Sequence, residues 1–152
     1  MKDIEYIISS DGDIDSLMNI RLEMLKEVNH LGESYRFDDD FVSECRKYFL
    51  EGKHTTVLAM DDGRVIGCAS ICYLEMMPTY DHPTGKRAQL MNVYTSASHR
   101  RRGIAKRMIR ILTEEAHKHG VTEIRLDATV SGRELYRKCG FAESDECMVS
   151  VG

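Results

Sequence analysis

His99-Arg100-Arg101-Arg102-Gly103-Ile104-Ala105 sets three consecutive arginines ahead of a glycine and a small alanine. Leu90 to Thr95, just before it, reads as a strand, and the residues after it read as a helix. A strand-to-helix turn aims several backbone N–H groups at one point, and the helix dipole adds positive potential there. Glycine at the tightest position lets an anion approach the backbone, and Arg100, Arg101 and Arg102 add charge. The chemistry of such a point is the binding of a phosphate chain. A solvated basic helix start is the plainer alternative. The stretch holds neither G-x-G-x-x-G nor Gly-Lys-Ser/Thr, so it matches neither a dinucleotide-binding turn nor a P-loop.

The elements around this turn follow from hydrophobic periodicity. Ile4 to Ile8 reads as a short first strand. Ile14, Leu17, Met18, Leu22, Leu25 and Val28 fall at helical spacing behind Asp13 and Asp15, with Gly32 as the stop. Asp38, Asp39 and Asp40 open a second helix with Phe41, Val42, Cys45, Tyr48 and Phe49 inward, closed by Gly52. Those acids serve the helix start or attract a cationic amine. Thr55 to Met60 and Arg64 to about Leu74 are strands joined by the hairpin turn Asp61-Asp62-Gly63. Glu75 to Lys86 is a loop, either a surface connection or a cover over a substrate. Ala88 to Thr95 is a strand, Gly103 to His119 a long amphipathic helix and Thr122 to Thr129 a strand. A short helix from about Gly132 to Lys138 and a last strand around Met148 to Val151 complete the chain. The order β-α-α-β-β-β-α-β-α-β describes one α+β domain, residues 1–152, around a mixed twisted sheet.

Composition removes several function classes. A net charge of −4 is not that of a chain built to coat nucleic acid, so the arginine cluster is a local feature. No apolar run approaches the roughly 20 residues that span a bilayer, and charges interrupt the apolar start Met1 to Tyr6, unlike a signal peptide. The five cysteines are an odd number, and most sit among apolar neighbours. That usage points to reduced thiols and a cytoplasmic setting. Cys68 and Cys72 share a strand face without zinc spacing, and the histidines form no ligand set, so no metal is expected.

Arg100-x-x-Gly103-x-Ala105 resembles the Q/R-x-x-G-x-G/A signature of the GNAT N-acetyltransferase superfamily. Leu135-Tyr136-Arg137-Lys138-Cys139-Gly140-Phe141 resembles that family's Leu-Tyr-x-x-x-Gly-Phe element, at the usual distance. The likeness is sharp from about residue 88 to 141 and rests on element order elsewhere. It implies acetyl-coenzyme A as donor and direct acetyl transfer to a primary amine, on a small molecule or a peptide. It implies that the pyrophosphate sits on the N–H groups of Arg101, Arg102, Gly103, Ile104 and Ala105. It also implies that the pantetheine arm pairs with the Val93-Tyr94-Thr95 strand like an added strand. The Ala88–Thr95 and Thr122–Thr129 strands are then splayed around the cofactor, and Arg101 or Lys106 meets the adenosine 3′-phosphate. Members of the family often form homodimers.

The same resemblance assigns Tyr136 as the acid that protonates the departing thiolate, or as a packing and cofactor contact. Thr129 stands where an asparagine is common, and its hydroxyl can still reach the pantetheine. Gln89 stands where many members carry a glutamate base, and an amide cannot take a proton from an ammonium group. The base then lies elsewhere or is a water chain: Glu75 ends a strand in that half of the sheet and Asp127 alternates toward the cleft, or each is a plain loop or sheet-surface acid. Asn92 interrupts an apolar strand, so it bonds across the sheet or holds the acceptor. A domain that holds coenzyme A without turnover is the competing reading. Cys139, beside Gly140 and Phe141, reads as a packing thiol and not a nucleophile.

Overall fold

The computed structural model describes residues 3–152, so Met1 and Lys2 of the charged start lie outside the described residues. Five strands form one sheet in the order β1-β2-β3-β4-β5. They are β1 (Glu5–Ile8), β2 (His54–Asp61), β3 (Arg64–Glu75), β4 (Lys86–Thr95) and β5 (Glu123–Arg125). The first four are antiparallel to their neighbours, and β5 runs parallel to β4. The β2–β3 turn follows from its sequence. Asp62 and Gly63 both have positive φ, 51° and 80°, which is the twist-matching conformation that Asp-Gly adopts readily.

Helix α1 (Ile14–Val28) packs on one face of the sheet, and α3 (Ile104–Lys118) on the other. Beneath α3, Met108, Ile109, Leu112 and Ala116 are buried against Val57, Ile71, Ala88 and Leu90. Each of the larger side chains among them contributes about 1.5–3 kcal/mol by leaving water. Under α1, Leu17, Ile20 and Met24 cover Leu58, Cys68 and Tyr94. Helix α2 (Asp39–Glu51) starts where the Asp38 carboxylate accepts the Asp40 N–H at 2.9 Å. It lies outermost, with none of its residues fully buried: Phe41 and Tyr48 are exposed. Helix α4 (Arg133–Lys138) packs Leu135, Tyr136 and the following Phe141 against the α3 side of the core.

The fold is the α+β single-domain architecture expected, with two corrections. The strand expected from Thr122 to Thr129 keeps only Glu123–Arg125, because its ladder with β4 covers Arg87 to Gln89 and then stops. Among the described residues no strand forms around Met148 to Val151. Met148, Val149 and Val151 are almost fully exposed there, so the segment buries too little apolar surface to order as a strand. No helix among the described residues is long and apolar enough to cross a membrane.

Candidate functional site

The early departure of β5 makes the site. From Leu90 to Thr95, β4 is paired with β3 on one edge and, among the described residues, has no strand along the other. A cleft of about 790 Å³ opens there, lined by β4, by Asp127 and Thr129 beyond β5, by Tyr136 of α4 and by the end of α1. It passes from one face of the sheet to the other. Ala105, Leu135 and Tyr136 belong to the α3 side, while Met24, Glu27 and Val28 belong to the α1 side.

At one end stands the turn into α3. Arg101 and Gly103 have φ of 64° and 77°, and the first in-helix bond runs from the Arg107 N–H to the Gly103 carbonyl. The N–H groups of Gly103, Ile104, Ala105 and Lys106 therefore precede the helical ladder and are available to an anion. The side chain of Ile104 is buried in the core, so it offers only its backbone. Arg101 and Arg102 are exposed. Arg100 is turned away from the turn: its Nε donates to the Thr95 carbonyl at 2.8 Å, its Nη2 pairs with Glu27, and it lies over the Tyr94 ring.

Val93, Tyr94 and Thr95 all line the cleft. The Tyr94 side chain is buried under α1, and burial with the Glu23 hydrogen bond pushes its hydroxyl well above the usual range. What Tyr94 presents to the cleft is therefore its backbone. The buried Thr95 Oγ1 has no hydrogen-bond partner among the described residues. An unpaired buried hydroxyl beside an open strand edge fits a site that a polar ligand completes.

Between the two faces, β4 bulges. Asn92 has a φ of 61°, and the β3–β4 register slips between Cys68 and Ser70. Such a bulge turns the strand and re-aims its groups. A run of side-chain hydrogen bonds fixes it. Arg21 donates to Asn92 Oδ1 at 3.1 Å, and Asn92 Nδ2 donates to Ser70 Oγ at 3.2 Å. Ser70 Oγ and Thr56 Oγ1 are 2.7 Å apart, and Thr56 Oγ1 meets His54 Nδ1 at 2.9 Å. The Cys68 thiol donates to the Asn92 carbonyl at 3.2 Å. Asn92 thus bonds across the sheet, one of the two roles its sequence position left open.

Tyr136 reaches the cleft from α4, its ring edge-on to Phe141 with centroids 6.2 Å apart. Burial, with Cys139 adding a smaller push, raises its pKa above the ordinary tyrosine value. The hydroxyl therefore keeps its proton at neutral pH and can give it up only to a strong base. Thr129 Oγ1 accepts the Gly132 N–H at 3.2 Å, so its hydroxyl shapes the turn into α4 at the cleft wall.

The two acids weighed as proton acceptors separate. Glu75 ends β3 and lines a different cavity, with Lys53, Lys86 and His119. Asp127 lines the cleft, and the Gln89 amide donates to its carboxylate at 3.5 Å. Asp38, Asp39 and Asp40 do not line it: Asp38 caps α2, and Asp39 lies 4.0 Å from Arg36. The loop between β3 and β4 does not cover it either, since Arg87 and His82 tie its base to Thr79, Thr122 and Glu123. The α1 wall of Met24, Glu27 and Val28 was invisible to sequence reasoning, because its helical spacing placed Val28 in the core. Val28 is 55% exposed. Among the described residues no group of three or more His, Cys, Asp or Glu could hold a metal ion.

The family model described as "Acetyltransferase (GNAT) family" matches residues 14–141. The chain is 28% identical over 114 residues to N-acetyltransferase family 8 member 2 of Rattus norvegicus, covering 72% of this chain and 48% of that protein. It is 28% identical over 114 residues to an aminoglycoside N(6')-acetyltransferase type 1 of Serratia marcescens, covering 70% of this chain and 75% of that protein. It spans about half or less of the length of the first curated relatives it matches. The crystal structure of a predicted acetyltransferase with acetyl-CoA from Clostridium acetobutylicum superposes with a TM-score of 0.84 at 28% identity, over 97% of this chain and 96% of that one. An aminoglycoside N-acetyltransferase in complex with CoA, 16% identical, shares the fold with a TM-score of 0.75 over 99% of this chain and 95% of that one.

Proposed function

The chain belongs to the GNAT acetyltransferase family, and on that premise we propose that it moves an acetyl group from acetyl-CoA directly onto a primary amine. The observation that carries this reading is the convergence on one cleft of the α3 N–H cluster, the unpaired edge of β4 and the Tyr136 side chain.

Acetyl-CoA is the cosubstrate, and it supplies an acetyl group activated as a thioester. The N–H groups of Gly103 to Lys106 hold its diphosphate, with Arg101 and Arg102 adding positive potential. The edge from Val93 to Thr95, apart from the Thr95 carbonyl that Arg100 already holds, offers backbone groups to the pantetheine amides, and Thr95 Oγ1 gains a partner. Thr129 lies on the wall opposite that edge. Tyr136 holds a proton for the sulfur that leaves, and its raised pKa keeps the donor charged with that proton. Asp127, steadied by Gln89, draws the acceptor's ammonium group and takes up its proton. Cys139 is half-buried, and burial pushes its thiol up, which suits packing and leaves the amine as nucleophile. The five cysteines are free thiols, consistent with a reducing, cytoplasmic compartment.

A CoA-holding domain without turnover is the second reading, favoured by Gln89 where many relatives carry a glutamate. Release of free thiol from acetyl-CoA with a panel of amines decides between them. Amine-dependent release establishes transfer. Tight CoA binding without release by any amine supports the second reading.

A further inference from the structure

The donor and the acceptor have different doors. The N–H cluster begins α3, so the donor occupies the α3 side of the cleft. Beyond the bulge, the cleft continues to a second mouth on the α1 side. Ile124 and Leu126 pack toward the α3 core, so the alternation turns Arg125 and Asp127 to the α1 face. Gln89 and Met91 share that face on β4, as the Gln89–Asp127 contact requires.

The charge of this mouth is small. Glu27 is ion-paired with Arg100, which leaves Asp127 as the lining carboxylate with no cationic partner among the described residues. Arg21 stands just behind, on Asn92. The remaining surface is apolar and open: Met91 is 42% and Val28 55% exposed, above the nearly buried Met24. One carboxylate can neutralise one ammonium group. A polycation would leave its further charges against methyl groups and near Arg21 and Arg100, without partners.

We propose that the acceptor is a monocationic amine attached to an apolar body, its ammonium on Asp127 and its body over Met91, Val28 and Met24, and that polycations such as polyamines and aminoglycosides are poor substrates. This rests on the acetyl-transfer reading and names the acceptor class for the same cleft.

The test compares phenethylamine with spermidine and tobramycin, by thiol release from acetyl-CoA and by calorimetric binding to protein saturated with CoA. Phenethylamine is expected to have a kcat/KM at least tenfold above either polycation. Met91→Glu adds a second carboxylate at the mouth, and is expected to shift the ratio toward spermidine by roughly three- to tenfold at low salt. Equal or better turnover of the polycations by the native chain overturns the proposal, as does a Met91→Glu variant that leaves the ratio unchanged. A binding preference for phenethylamine without any thiol release upholds the acceptor class while overturning the transferase reading. No preference in binding overturns the acceptor class itself.

Discussion

Replacing Gly103 by valine puts two separable demands on the turn into α3. The first is conformational. Gly103 has a φ of 77°, and a side chain in that left-handed region costs about 1–2 kcal/mol, at the upper end for a β-branched residue. For a chain of this size each kcal/mol lowers Tm by about 2–4 °C, so the fall is roughly 2–8 °C. Crowding adds little, since a Cβ at Gly103 meets no atom within 4 Å. The second demand concerns the ligand. The new methyl groups stand beside the N–H groups of Gly103 to Lys106, where a diphosphate must come close. Losing one charge-assisted hydrogen bond there, about 1.5–3 kcal/mol, weakens Kd for CoA by roughly 10- to 150-fold. Gly103→Asn separates the two demands. Asparagine tolerates the left-handed region, so its Tm stays near the native value while its side chain still obstructs the turn. Titration calorimetry with CoA, and with pantetheine as a ligand lacking the diphosphate, reads the outcome. The valine and asparagine variants are expected to weaken CoA strongly and pantetheine by less than about twofold. Folded variants that bind CoA as the native chain does would refute the phosphate site, and an equal loss for pantetheine would trace the effect to general distortion.

Tyr136→Phe is expected to lower kcat by about 10- to 1,000-fold with KM for acetyl-CoA and Tm nearly unchanged, because only a hydroxyl at the cleft is lost; an unaltered kcat removes the acid role. Ser70→Ala leaves Asn92 Nδ2 without its partner in the buried sheet and Thr56 with only its His54 contact. It is expected to cost about 1–3 kcal/mol in urea unfolding and to move the backbone amide signals of Asn92 and Val93 in nitrogen-15 spectra. Unmoved signals would show that the bulge holds itself. Burial raises the pKa values of Tyr6, Tyr73 and Tyr136 above the ordinary value of 10.0. The unfolded chain then loses tyrosine protons first, so stability is full below about pH 10 and declines above it. Urea midpoints that stay level from about pH 9 to 11 contradict this.

Much of the fold was legible because local rules and tertiary needs agree. Asp62-Gly63 can hardly do other than turn a hairpin, and the 3.6-residue spacing of Ile104, Met108, Leu112 and Ala116 matches the face that α3 buries. The turn at Gly103 was legible for the same reason, since a glycine at a strand-to-helix junction has a local conformational meaning. Departures came where pattern and partner disagree. Met148 to Val151 has strand-forming residues but stays exposed and unpaired, and α2 carries a helical stripe that its outer position leaves half uncovered.

The site divides along the same line. Residue types and their spacing determined the turn at Gly103, because it depends on a few consecutive residues, whereas Tyr136 and Gln89 stood out only through the resemblance to a family. Tertiary structure alone decided that β5 leaves β4 after Gln89, that Asn92 is locked by Arg21 and Ser70, and that Asp127 and Glu75 end in different cavities. These are contacts between residues far apart in the chain. Which one forms is settled by how two helices and a twisted sheet exclude water together, and no local pattern encodes that packing.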